Sequence, residues 1–184
     1  GIFGVAVFSG ILACFTQRAA VEAFVDEPDQ GVVLDSVEAV MRRPYGCAEQ
    51  TISSAYPSLL ALRLVADGKG HEALAARARR HLDLGYQRLL GHQDASGGFT
   101  YFHAGGPDLA LTAYALRFLT DAAAFLETDE DAVDRARSFL LSKQEADGRW
   151  RAQVWYRADE DEERSLALTA LIAEAAELMR DGVD

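Results

Sequence analysis

The sequence predicts an all-α fold: an α/α toroid of inner and outer antiparallel helices, with only part of the ring present. Three observations predict it. Of 184 residues, 49% are hydrophobic, Ala and Leu lead them, and only 4 are Pro, a composition that leans to helix. A turn motif occurs twice, LLGHQDASGGF at 89–99 and LLSKQEADGRW at 140–150, aligned without gaps 51 residues apart. The segments between the turns alternate between apolar all round and wet on one face.

Residues 1–17 carry no charged side chain, yet they are short for a membrane span and Gly and Ser interrupt them. No basic stretch precedes them, so they do not read as a signal peptide. A chain that begins at Gly1 reads as an excised piece of a longer protein. Residues 1–30 are therefore expected to be a leading segment, a strand or edge belonging to a neighbouring β module, and 31–184 the domain proper. Residues 47–66 are apolar through Ile52, Ala55, Leu59, Leu60, Leu62 and Leu64, with a kink expected at Pro57. Asp67-Gly68-Lys69-Gly70 breaks that helix from the next. Residues 71–90 carry Arg77, Arg79, Arg80, Asp83 and Arg88 and have one wet face. Residues 108–126 are apolar almost all round, with Asp108 as the expected N-cap. Residues 130–143 are wet on one face, and 163–180 begin apolar again. LALTA follows each copy of the turn, at 109–113 and 166–170. The order from residue 47 is inner, outer, inner, outer, inner, too few hairpins to close a ring. If all inner helices start on one side, Cys47 and the loops 91–108 and 144–164 lie at one end of the domain.

A formal charge of −11 argues against nucleic acid and anionic membranes as partners. Cys14 and Cys47 are too few for a disulfide framework, although one bridge between them is compatible with the count. No metal set is visible, because His71, His81, His92 and His103 lack the spacing of a tetrahedral site. His71 and His81 read as solvated and His92 as a polar loop residue. The acidic run Asp159 to Glu163 reads as a solvated loop or a cap for the following helix.

Residues 44–50 read Pro-Tyr-Gly-Cys-Ala-Glu-Gln. Cys47 and Gln50, three apart at a helix start, share one face, within reach of sulfur for amide carbon. The free amides and dipole of a helix N-terminus favour a thiolate, both nucleophile and leaving group. Gly46 permits an unusual backbone angle, and Pro44 limits the entry conformation. Glu49 reads either as a proton-transfer group or as an acidic first-turn residue that steadies the helix. Alone, Cys47 would read as a buried structural cysteine; its neighbours change that.

With these residues in place the sequence resembles the thioester domain of the α2-macroglobulin and complement family, most closely its bacterial members. Gly46, Cys47, Glu49 and Gln50 match its Gly-Cys-x-Glu-Gln motif, and LALTAYALRFL at 109–119 resembles a later segment of that domain. The Gln-x-x-x-Gly-x-aromatic turn also resembles those of terpene cyclases and prenyltransferases. The resemblance implies a Cys47–Gln50 thioester as the internal cross-link, with no cofactor. It implies a single-use protease inhibitor, not an enzyme, in the periplasm or outside the cell. Its partners are then the lysine amines of target proteases and the neighbouring macroglobulin domains. Some members use a histidine as an acyl relay; His103 lies in the right region, but its loop does not align cleanly. Phe99 and Trp150 are expected to pack between hairpins, and Tyr45, Phe102, Trp155 and Tyr156 to cover the thioester. Two other readings stay open: an enzyme on the same toroid (a cyclase, transferase or glycosidase), or a binding scaffold with a dead thioester.

Overall fold

The structure is a computed structural model that describes residues 30–66, 71–152 and 162–180. Among the described residues there are six helices and no strand: α1 Gln30–Val40, α2 Ala48–Val65, α3 Glu72–Leu90, α4 Leu109–Ala122, α5 Glu130–Ser142 and α6 Glu162–Arg180. The expectations for residues 1–29, including Cys14, for the break at 67–70 and for Trp155 and Tyr156 lie outside the described residues.

The chain alternates as its apolar pattern predicts. Helices α2, α4 and α6 touch in succession, while α3 packs on α2 and α5 on α4. Helix α4 is the most enclosed, with Leu111, Ala113, Ala115, Phe118 and Leu119 fully buried. That follows from a sequence apolar on every side. Helices α3 and α5 bury one stripe each, Leu74, Ala78, Leu82 and Leu89 in the first and Ala132, Ala136, Phe139 and Leu140 in the second. Helix α2 continues through Pro57.

Helix α1 was not expected from the sequence. Its valines favour strand by propensity. Leu34, Val37 and Met41 nevertheless fall at helical spacing; Leu34 is buried beside Val65 and Leu74, and Val37 in the main core. Glu38 on its wet side pairs with Arg77 of α3. Tertiary burial here outweighs a propensity of a few tenths of a kcal/mol per residue.

The repeated turns match atom for atom. Gln93 Nε2 donates to Gly97 O at 3.0 Å, and Gln144 Nε2 to Gly148 O at 2.9 Å. Both glycines have positive φ, 90° and 83°. Phe99 N–H donates to Thr112 Oγ1 at 2.9 Å, and Trp150 N–H to Thr169 Oγ1 at 3.1 Å. Each aromatic is buried between hairpins. The threonine of each LALTA segment thus receives the turn that precedes its helix.

Candidate functional site

Helix α2 begins at Cys47, its N-cap residue, with extended backbone angles. The turn before it is pressed onto α3. A Cβ on Gly85 would meet Ala55 Cβ at 2.6 Å and Pro44 Cγ at 3.3 Å, so only glycine lets α3, α2 and Pro44 meet this closely. Gly46 has φ of 80°, and a Cβ there would stand 1.9 Å from Gln50 Oε1 and 2.8 Å from Gln50 Cδ. The space a side chain at 46 would take is occupied by the Gln50 carboxamide. Cys47 N–H donates to Gln50 Oε1 at 3.1 Å. Cys47 and Gln50 hold the two places of a capping box, with sulfur where serine or threonine usually stands. Cys47 is partly exposed and makes no disulfide among the described residues.

The loop 91–108 closes over this helix start. Tyr101 O accepts the N–H of Ala48 at 3.1 Å, satisfying one of the free first-turn amides. The Tyr101 phenol is pushed well above its ordinary range, first by burial and then by the negative charges of Asp108, Glu49 and Cys47. Its backbone ties the loop to α2, a role the sequence reading did not give it. Burial also raises the Glu49 carboxyl. Glu49 is therefore a half-buried acid in the first turn beside Cys47, not a fully solvated one. The placement of loop 91–108 beside Cys47 agrees with the inner helices starting at one end.

Arg88, on the last turn of α3, donates to Gly46 O at 2.7 Å and to Thr51 Oγ1 at 3.2 Å. No spacing rule pointed to it, since it lies 42 residues from Gly46. His103 Nδ1 lies 3.1 Å from Gly91 O, and its ring stacks on His92 at 4.5 Å. The imidazole is thus tied to the end of α3. His92 itself is buried, not the polar loop residue expected, because Thr100 N–H and Oγ1 both bond its carbonyl and draw the segment inward. Tyr45 and Phe102 are both exposed, at 53% and 66%. They flank the site without being packed down within the described residues. Among the described residues no group of three or more His, Cys, Asp or Glu is placed to hold a metal ion.

With this geometry in place, residues 21–181 match the family model of the A-macroglobulin TED domain. The chain belongs to that family. Over 130 residues it is 28% identical to thioester-containing protein 1 (allele S3) of Anopheles gambiae, covering 68% of this chain and 10% of the relative. Over 103 residues it is 40% identical to the α2-macroglobulin of Escherichia coli, covering 53% of this chain and 6% of the relative. Two crystal structures of Salmonella α2-macroglobulin, a tyrosine-to-glycine mutant and the protein reacted with methylamine, superpose with a TM-score of 0.59. They are 26% and 25% identical, over 78% of this chain and 9% of theirs. The TED chain therefore spans about a tenth or less of the length of the relatives it matches.

Proposed function

We propose that this TED domain carries a thioester between Cys47 Sγ and Gln50 Cδ and spends it once, acylating an amine of a captured protease. One observation carries the reading: the Gln50 carboxamide lies over Gly46 with its oxygen on the Cys47 N–H. Its carbon is presented to the residue that bears the sulfur. Closure has the sulfur attack Cδ, the C–N bond break and the thiol proton leave with the nitrogen as ammonia. Transfer has an amine nitrogen attack Cδ and the C–S bond break. The amine proton goes to sulfur, leaving an amide at Gln50 and a free thiol at Cys47. The acyl donor is not regenerated, so the domain acts stoichiometrically.

The family supports the wider role, a broad-spectrum protease inhibitor of bacterial α2-macroglobulin type acting in the periplasm or outside the cell. Neighbouring macroglobulin domains hold the thioester back until a protease is engaged. No described helix is long and apolar enough to cross a membrane. Amines reach the thioester directly, since His103 is committed to Gly91 O and to the His92 ring. Glu49, two residues after Cys47 in the first turn, has a carboxyl raised by burial and exchanges the proton during transfer. Tyr45 and Phe102 form the exposed rim against which a covering domain closes.

The test is intact mass with and without methylamine. The native protein is expected to be lighter by one ammonia than its sequence, and methylamine to add to Gln50 while freeing one thiol. Cys47→Ala should abolish both. Labelling that persists in Cys47→Ala sinks the reading.

A further inference from the structure

The Gly46–Cys47 peptide unit is held at both ends. Its oxygen accepts from the Arg88 guanidinium at 2.7 Å, and its N–H donates to Gln50 Oε1 at 3.1 Å. These are opposite ends of one planar group. An amide whose oxygen accepts a charged hydrogen bond becomes a better donor at its nitrogen, because hydrogen bonds in a chain polarise one another. Gln50 Oε1 is also the atom on which negative charge develops when Cδ is attacked, both in closing the thioester and in opening it with an amine.

We infer that the Cys47 backbone N–H is the oxyanion donor of this thioester, and that Arg88 is a positioning residue acting on it through the Gly46–Cys47 peptide. The inference rests on the thioester reading above. It accounts for a long charged side chain from the wet outer helix folding back onto a turn 42 residues away. A second bond, Arg88 Nε to Thr51 Oγ1, fixes the guanidinium from below. Gly85, one turn earlier on α3, brings the Pro44 side of the turn close enough for Arg88 to reach. The arrangement makes the outer helix part of the reactive centre without contact with the reacting atoms.

The sign of the effect separates this role from plain structural support. A residue that only braces the turn would, when lost, loosen the site and let amines in faster. Loss of oxyanion support slows attack instead. In the full-length protein that carries this domain, Arg88→Met is expected to lower the methylamine rate about tenfold, the scale of a weakened oxyanion donor. Arg88→Lys, which keeps one charged donor for Gly46 O, should recover most of the rate. Thr51→Val, which leaves the Gly46 bond intact, should change it less than Arg88→Met. An Arg88→Met protein with an intact thioester and an unchanged or faster rate overturns the inference and leaves the thioester standing. A wild-type protein with no ammonia-light mass and no methylamine adduct overturns the thioester reading, and this inference with it.

Discussion

At the start of α4, Asp108 accepts the N–H of Leu111 at 2.8 Å, and four residues on Thr112 receives the N–H of Phe99. At the start of α2 the same two places are held by Cys47 and Thr51. The sulfur replaces the capping carboxylate, and Thr51 receives Arg88 in place of a turn amide. In α6 the equivalent residues, Ser165 and Thr169, lie inside a helix that already begins at Glu162, and Ser165 Oγ accepts the N–H of Ala152 from the preceding turn at 3.1 Å, not a first-turn amide. The site is a modified helix cap. Where α4 uses the capping position for stability, α2 gives it to a weak hydrogen-bond acceptor that is a strong nucleophile. The neighbouring amides stay satisfied by Gln50 Oε1 and Tyr101 O. Reactivity at α2 is thus obtained by giving up part of a cap, and the difference is measurable.

The largest expected loss of stability lies in the structural turn, not at the reactive one. A Cβ at Gly97 would meet Arg135 O at 2.4 Å with φ of 90°. Gly97→Ala should cost about 2–3 kcal/mol in urea denaturation, combining backbone strain with a clash against fixed backbone. Its repeat partner Gly148 has φ of 83° but no clash, the nearest atom, Gln144 Nε2, standing at an ordinary contact distance of 3.9 Å. Gly148→Ala should cost only about 1 kcal/mol. Gly46→Ala belongs to a different class: its Cβ would displace the Gln50 carboxamide, so the ammonia-light mass should disappear.

Next come the two caps. Asp108→Ala leaves a buried amide unmet and should cost about 1–2 kcal/mol. Cys47→Asp should do the opposite at α2, adding about 0.5–1 kcal/mol of stability while abolishing methylamine labelling. Equal midpoints for Cys47→Asp and wild type would break the comparison, because the α2 start would then carry no capping deficit.

Much of this was legible in the sequence. The repeat placed both turns, the apolar runs placed α2 to α6, and Asp108 read as a cap because its residue type and position both fit. Cys47 and Gln50 were singled out because Gly46, Cys47, Glu49 and Gln50 match the family's Gly-Cys-x-Glu-Gln motif; their three-residue spacing at a helix start is compatible with that reading and would not have carried it alone. Three features were not legible, each because it depends on tertiary approach. Helix α1 is decided by burial of Leu34 and Val37 against local propensity. Arg88 looked like any charge on a wet face, and only the close packing allowed by Gly85 makes it a partner of Gly46. Tyr101 contributes a backbone carbonyl, which no side-chain pattern encodes.

The smallest expected effect tests whether the two turns also differ in pH response. His92 and Lys143 hold equivalent places, but His92 is buried and its ring is stacked on His103. Burial is the main cause that lowers its pKa, followed by the charges of His103 and Arg88. A depressed histidine contributes stability above its ordinary value of about 6.5, and that stability is lost as pH falls through the lower folded value. The second turn has no histidine in that place, so acid should loosen loop 91–108 and not the turn at 144–150. Hydrogen exchange at the Thr100 and Ala48 amides, which bond His92 O and Tyr101 O, should therefore speed up below the ordinary histidine range, beyond its intrinsic pH dependence. Exchange at the Glu145 amide, bonded to Arg149 O in the second turn, should not. In His92→Phe the difference between the turns should vanish. If it persists unchanged there, His92 is not its source, and Glu49 and Asp108, the carboxyls whose charge acts on Tyr101, cannot supply it either. Both carboxyls are raised by burial, so their stability is gained as pH falls, the opposite sign.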